Sequence, residues 1–484
     1  MDVIGPINEA VRRNTVQRCR ERGIRIPTLA EMRNPEKIPV SVRERLPDVG
    51  LDDVDPANLY RITWKNDPKT GLFGGGNLIE FPAALTGVAS RIIGLVGRWF
   101  PTGSHKVGAG FGCLVPRLVN GSFDPTKHKA VWPSTGNYCR GGAFDCALLA
   151  CDAVAILPEG MSRERFDWLR GIGAEVIATP GCESNVKEIF DKCREIRATR
   201  PDCVIFNQFD EFGNSIWHYH VTGPFAEEAF ARVGGASARL SAFVSATGSA
   251  GTIAAGDYLR TRFPDIRIVA AEALQCPTLL RSGFGEHGIE GIGDKHVPWI
   301  HNVRNTDLVC AIDDAQCLSL LRLFNEPEGT LLLVREGVPE TTAAALPLLG
   351  ISSICNLVAA IKTARFYELG ERDLLIIPLT DSSELYRSRL GEMRERRGEL
   401  KAEEAARSFA RYLEGIAVDH TRELGYHERK RLHNLKYFTW VEQQGKSAED
   451  LRRLWEPDFW EGIYASAGGW DRAIEAFNRE TGSG

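Results

Sequence analysis

Three short stretches set chemically active side chains among residues small enough to admit a ligand. In PTGSHKVGAGFG, from Pro101, Lys106 stands at the start of a Gly/Ala-rich segment of helical character. An amine near a helix N-terminus and partly out of water is disfavoured in its charged form on both counts, which leaves a nucleophile suited to Schiff-base chemistry. The same residues also suit a surface lysine in a Gly/Ser turn. In WPSTGNYCRGGAF, a β-run from Ala130 breaks into Pro133, Ser134, Thr135, Gly136 and Asn137, followed by residues able to begin a helix. Backbone N–H groups at such a turn receive anions, and the Ser and Thr hydroxyls add donors for a carboxylate; a helix N-cap without a ligand is the alternative. In SATGSAGTIAAG, Ser245 to Gly256, an apolar strand leads into Gly248, Ser249, Ala250, Gly251 and Thr252, with no bulky side chain among them. Their backbone can cup a phosphate at the head of a helix, although the lysine of a P-loop and the spacing of a dinucleotide fingerprint are both absent.

The elements that would position these stretches are legible as apolar runs closed by Gly, Pro or Ser/Thr: AVAILP from Ala153, AEVIATP from Ala174, CVIFNQF from Cys203, SAFVSATG from Ser241, IRIVAAEA from Ile266 and LLIIPL from Leu374. Near-continuous apolarity is what strands covered on both faces show, so the fold class expected is α/β, doubly wound, with a parallel sheet and crossover helices. Between the first two runs, MSRERFDWLRGIG predicts a helix capped by Ser162, with Phe166, Leu169 and Ile172 on one face and Gly173 ending it. From about Gly391 the chain becomes charged, amphipathic and rich in aromatics with no strand-like run, which predicts a helical extension.

The 484 residues, 43% hydrophobic and 25% charged, describe an ordinary globular protein of about three compact units, or of two domains with extensions. A formal charge of -5 argues against a nucleic-acid partner. Cys139, Cys146 and Cys151 lie seven and five apart and no CxxC occurs, so neither a zinc site nor a disulfide scaffold is indicated. The N-terminus has no apolar stretch of signal length, and a cytoplasmic protein with reduced thiols is expected. The uncharged run Thr341 to Ile361 is long enough to cross a membrane but is interrupted by Pro347, Gly350, Ser352, Ser353 and Asn356; it predicts a loop or strand leading into a buried helix, and no membrane partner. His218 and His220 have metal-pair spacing, but a core or interface role is expected for them and no metal is expected.

Taken in order, the motifs resemble those of the fold-type II pyridoxal phosphate enzymes, and within them the cysteine synthase and cystathionine β-synthase family. Lys106 falls at the family's Schiff-base lysine, and PSTGN resembles its substrate loop. MSRERFDWLRGIGAEVIATPG and NQFDEFGNSIWHYHVTGP match two further segments, GSAGT stands for its G-T-G-G-T phosphate loop, and EHGIEGIGDKHVP, GISSICNLVAAI and PLTDSSELY complete a series from about Pro101 to about Tyr386. The resemblance implies that Lys106 forms the internal aldimine with pyridoxal 5'-phosphate, that Asn137 bonds its 3′ oxygen, and that Gly248, Ser249, Ala250, Gly251 and Thr252 hold its phosphate. Ser134, Thr135, Gly136, Gln208 and Gly291 would bind the substrate, and Ser353, with Thr380 as a second candidate, would meet the pyridine nitrogen. A neutral hydroxyl there leaves the ring unprotonated and favours prompt loss of a β-substituent. His105 is closer to the tryptophan synthase β subunit, Tyr138 replaces a small Thr over the substrate side chain, and Ser249 and Ala250 alter the phosphate loop.

The organisation this implies is two doubly wound parallel-sheet domains with the cofactor between them, as in the tryptophan synthase β subunit. The boundaries expected are an N-terminal extension 1–60, a small mobile domain 100–210, a large domain from 61–99 and 211–390, and the helical C-terminal extension 391–484. The activity implied is elimination at Cβ of a β-substituted L-amino acid (O-acetylserine, O-phosphoserine or cysteine-like) to an aminoacrylate, then addition of a nucleophile or hydrolysis to pyruvate and ammonia. A homodimer acting on a small amino acid is expected. The alternatives are a threonine or serine dehydratase or a threonine synthase-like lyase, and, from another class, a cofactor-binding subunit that acts mainly as a partner-docking protein. Retention of Lys106, Asn137 and Ser353 speaks against loss of catalysis.

Overall fold

A computed structural model describes residues 5–134, 136–161, 163–181, 186–293 and 295–482. Thr135 and Ser162, a substrate residue and a helix cap in the sequence reading, lie outside the described residues. Eleven strands run β1 Leu78–Phe81, β2 Arg91–Val96, β3 Lys129–Pro133, β4 Asp152–Pro158, β5 Glu175–Thr179, β6 Cys203–Ile205, β7 Arg239–Ala246, β8 Arg267–Ala273, β9 Leu308–Ile312, β10 Asp373–Leu379 and β11 Thr421–Glu423. Four of them form an all-parallel sheet in the order β5-β4-β3-β6, and the other seven form a sheet in the order β1-β2-β10-β7-β8-β9-β11. The larger sheet is parallel in its middle; only its edge strands β1 and β11 pair antiparallel. Every residue of β9 and β10 is buried, as expected of strands with helices on both faces.

This topology brings the chemistry to one side. The turns at Ser134, Gln208, Gly248 and Asp381 leave the C-terminal ends of β3, β6, β7 and β10, and the chain leaving β2 leads to Lys106. Loops at the carboxyl ends of parallel strands, where the strand order reverses, form the crevice of doubly wound sheets. The helix Lys106–Asn120 fills the space behind that crevice, and its glycines set how closely it is approached. A Cβ at Gly108 would lie 2.3 Å from the Trp217 ring, and one at Gly112 would lie 2.3 Å from the Gly213 carbonyl. The Gly/Ala-rich stretch after Lys106 is thus a packing surface.

The segment Thr341 to Ile361 is helical rather than extended: a short helix Glu340–Ala345 and one 3-10 turn precede the buried helix Ile351–Phe366. Among the described residues no helix is long and apolar enough to cross a membrane. The C-terminal segment departs from the expected all-helical extension, since Thr421–Glu423 adds β11 to the large sheet. Three residues with one apolar neighbour carry no alternating pattern, and the open edge of β9 supplies their hydrogen bonds.

The same segment clasps the N-terminus. Asn478 exchanges two hydrogen bonds with the Ile26 backbone, at 3.0 and 2.8 Å, and Asp471 accepts from the first N–H groups of the helix Leu29–Arg33, at 2.7 and 3.2 Å. Trp440 reaches inward to donate to Val297 O, and Lys436, wholly buried, donates to the carbonyls of Trp299 and His301. Burial pushes that amine down to about 7. Asn478→Ala orphans a buried backbone N–H and C=O and should lower the unfolding free energy by about 2–4 kcal/mol. Glu480→Ala removes only the ion pair to Arg12 from a half-exposed carboxylate, and should cost less than about 1 kcal/mol. Urea denaturation of the two variants measures the contrast.

Candidate functional site

Lys106 begins its helix, and its Nζ donates to Ser249 Oγ at 3.1 Å and Gln208 Oε1 at 3.4 Å. One amine therefore touches the loop after β7 of the large sheet and the segment after β6 of the small one. The two loops are held independently of it. Asn214 Nδ2 donates to Ser249 Oγ and to Gln208 O, both at 3.0 Å, and Gln208 Nε2 donates to Ser134 Oγ at 3.4 Å. Ser134 Oγ also accepts from Gly136 N at 3.2 Å, which fixes the turn that opens the helix Asn137–Leu148. Lys106, Ser134, Asn137, Gln208, Gly248, Ser249 and Gly291 line one pocket, with Phe209, Ile292 and Gly293 on its wall.

The stretch Gly248 to Thr252 has the backbone of an anion-receiving turn. Ala250 has a left-handed φ of 61°, so successive backbone N–H groups face one side, and the helix Ala254–Arg262 starts two residues after Thr252. Gly251 is required, because a Cβ there would lie 2.0 Å from Asn214 Oδ1. Behind the cup, Thr252 Oγ1 lies 3.3 Å from His105 Nε2 and 3.4 Å from His218 Nε2. His218 Nδ1 in turn is 2.9 Å from Thr222 Oγ1, which accepts from Trp64 Nε1 at 2.9 Å. A π-helical turn, His218–Thr222, sets this histidine and threonine on one side. On the HY-x-x-TGP segment His218 is fully buried behind Thr252, as a core role has it, while His220 bonds Tyr464 O at 2.7 Å. Among the described residues no cluster suited to a metal occurs.

Around Asn137 the structure brings in a side chain that the sequence reading did not single out. Ser353 Oγ donates to the Asp381 main-chain carbonyl at 3.4 Å, and Thr380 contributes its own carbonyl to His105 N at 3.3 Å. The side chain that reaches Asn137 is Asp381, whose Oδ2 accepts from Asn137 Nδ2 at 2.6 Å and from Tyr386 OH at 2.8 Å. Burial raises the Asp381 carboxyl, opposed by these two donors and by Arg165. Arg165, itself buried, pairs with Glu290 at 2.8 Å and packs against the substrate turn so closely that a Cβ on Gly136 would lie 2.6 Å from it. Tyr138 also lines the pocket, with its ring edge-on to Trp132 and its hydroxyl donating to Phe206 O at 3.3 Å.

The residues fit pyridoxal phosphate. A cradle of small residues lies at a helix N-terminus, an amine stands beside it, and Asn137 Oδ1, Asn214 Oδ1, Ser352 Oγ and Asp381 Oδ1 are buried polar atoms with no partner among the described residues. Such atoms are costly unless a ligand satisfies them. Sequence reasoning missed Asn214, Asp381 and the Arg165–Glu290 pair. Asn214 and Asp381 both lie in motifs already noticed, but only their burial and partners mark them out.

Comparison with known proteins agrees with this geometry. The family described as pyridoxal-phosphate dependent enzyme matches residues 99–372. A probable cysteine synthase of Bacillus subtilis is 29% identical over 289 residues, 60% of this chain and 85% of that protein. A cysteine synthase of Staphylococcus aureus is 30% identical over 259 residues, 53% of this chain and 75% of that protein. Among solved structures, the O-acetylserine dependent cystathionine β-synthase of Helicobacter pylori superposes with a TM-score of 0.55 at 25% identity, covering 64% of this chain and 94% of that one.

Burial holds both His105 and His218 well below the ordinary imidazole value of 6.5. Below that pH the unfolded chain binds protons that the folded site refuses. The stability these imidazoles allow is therefore complete above about pH 6.5 and falls as the pH drops, by up to ~1.4 kcal/mol per pH unit for each. Buried acids such as Glu272, pushed up to about 8, act in the opposite sense, so the comparison is between variants. His218→Asn should lose stability less steeply than the wild type between about pH 6 and about pH 4.5, measured by chemical denaturation.

Proposed function

The chain belongs to the pyridoxal-phosphate dependent enzyme family, in its cysteine synthase and cystathionine β-synthase group; from that premise we propose that it removes the β-substituent of a small L-amino acid such as O-acetylserine, O-phosphoserine or cysteine, and then adds a nucleophile or releases pyruvate and ammonia. The observation that carries this reading is the Lys106 amine, held between Ser249 of the phosphate cup and Gln208 of the substrate side. Pyridoxal phosphate supplies the aldehyde that takes the amino group and the ring that draws electrons from Cα. Gly248 to Thr252, backed by His105 and His218, would hold its phosphate, and Asn137 its phenolic oxygen.

The chain's own residues then divide the work. Ser134, Thr135, Gly136 and the first N–H groups of the helix Asn137–Leu148 receive the substrate carboxylate, where the helix dipole favours a negative charge. Gln208 joins Ser134 to Lys106 and so fixes the carboxylate relative to the amine. Gly291, with φ 94°, lets its backbone approach the substrate from the opposite wall. Lys106 Nζ takes the Cα proton, and the β-substituent leaves with its bonding electrons. Phe209 and Ile292 form apolar wall of the pocket and keep bulk water from the reacting carbon.

We read the setting as cytoplasmic and the assembly as a homodimer. Free and mostly buried thiols support the first; light scattering tests the second. Borohydride reduction of the cofactor-loaded protein followed by peptide mapping should place the pyridoxyl group on Lys106, and Lys106→Ala should abolish product formation. A label on another lysine would refute the site. Across a panel of amino acids, good β-leaving groups should give pyruvate or a replacement product; preferential turnover of unmodified serine or threonine would favour a dehydratase. Gly251→Val should weaken pyridoxal phosphate binding by about tenfold or more, because the added side chain separates the phosphate from charge-assisted N–H donors.

A further inference from the structure

The C-terminal extension lines no part of the pocket, yet it holds the chain on both sides of it. One wall carries Gln208 and Phe209, from the segment after β6; the other carries Gly291, Ile292 and Gly293, from the chain between β8 and β9. Just beyond the pocket the two segments meet, where Ile300 N donates to Phe209 O at 3.3 Å. One backbone bond thus joins a wall borne by the small sheet to a wall borne by the large one.

Side chains of the extension close on this joint from both directions. On the first wall, Lys446 pairs with Asp210 at 2.8 Å, next to Phe209. On the second, Trp440 donates from Nε1 to Val297 O at 2.8 Å, and Lys436 donates to Trp299 O at 2.9 Å and to His301 O at 2.7 Å. Between them the rings interlock: His296 lies 5.3 Å from Trp440 and 5.1 Å from Phe209, centroid to centroid, and Phe190 packs against all three. Trp440 is fully buried, so turning away would leave an indole N–H unpaired in the core. The extension is itself anchored elsewhere, by β11 on the edge of β9 and by Asn478 on the Ile26 backbone. A fixed element therefore grips two segments that belong to different sheets.

The consequence for substrate runs through Gln208. Its side chain links Ser134 to Lys106 by two bonds of 3.4 Å, so a shift of its segment displaces the carboxylate-binding groups relative to the amine. Resting on the amino-acid reading above, we propose that the C-terminal extension sets the pocket's affinity for its amino-acid substrate, with Trp440 and Lys446 as positioning residues that hold the Gln208–Phe209 wall against the Gly291–Gly293 wall. The carboxylate contacts so supported serve the bound substrate and the transition state alike, and their loss appears in KM more than in kcat.

The test uses the full-length protein loaded with pyridoxal phosphate, as Lys446→Ala, Asp210→Ala, their double variant and Trp440→Phe, with Glu449→Ala, which removes an exposed ion pair within the extension, as the control. Lys446→Ala and Asp210→Ala should each raise KM roughly three- to tenfold with kcat within about twofold, and the double variant should be no worse than either single one. Trp440→Phe keeps the ring contacts, loses the bond to Val297 and should raise KM in the same way; Glu449→Ala should leave it unchanged. Hydrogen exchange read by mass spectrometry needs no turnover: in Lys446→Ala and Trp440→Phe the amides of 207–212 and 296–301 should exchange faster than in the wild type. A wild-type KM in both Lys446→Ala and Trp440→Phe, or additive effects of Lys446→Ala and Asp210→Ala, overturns the proposal, as does unchanged exchange at both segments. A cofactor-loaded wild type that turns over no β-substituted amino acid overturns the substrate reading instead, and the exchange data then decide alone whether the extension holds the two walls.

Discussion

The contact on which the site turns is the Lys106 amine, hydrogen-bonded at once to a loop of the large sheet and a segment of the small one. An amine taken partly out of water must be matched by polar groups with defined geometry. Ser249 and Gln208 supply them, and each is tied through Asn214 to the other. The two sheets cannot move apart here without leaving buried donors and acceptors unpaired. The glycines around the lysine serve the same end. They allow helix to approach helix closely enough for side chains of different strands to meet over one amine.

Around that contact lies an unusual amount of buried charge. Arg165, Glu290 and Asp381 are all inside, linked by Tyr386. Removing ions from water costs several kcal/mol apiece, and attraction between them recovers that only when nearly every lone pair and proton is used. Among the described residues one oxygen of Asp381, one of Asn137 and the Ser352 hydroxyl have no partner, and of these Asn137 lines the pocket. Buried polar atoms left unpaired beside a pocket are ones a ligand can satisfy.

The terminal segments also bear on the cleft. The C-terminal helices grip the N-terminal ones through Asn478 and Asp471, and Trp440 packs against His296, which contacts Phe209, next to Gln208. Lys446 pairs with Asp210 at 2.8 Å. The extension thereby braces the substrate side of the pocket from behind, through aromatic contacts and one ion pair, without entering it.

Read alone, the chain discloses what depends on neighbouring residues. Lys106 before a Gly/Ala helix, the turn of Ser134 and Gly136, and the small residues Gly248 to Thr252 are local statements, because a strand-to-helix turn creates its anion-binding N–H groups within five residues. Parallel strands were legible for the same reason: burial on both faces is written into consecutive apolar side chains. What the chain could not disclose is everything decided by approach from elsewhere. The side chain that reaches Asn137 is Asp381, 244 residues away in sequence, and neither motif discloses that pairing. Strand β11 falls inside the segment read as a helical extension, because three polar residues owe their conformation to the edge of β9. His218 is buried, as a core role has it, and only the fold brings Thr252 and Thr222 to its two nitrogens. Residue type and spacing determine which groups are available; burial and long-range packing decide which of them face one another, because hydrogen bonds between distant segments exist only once the core has closed around them.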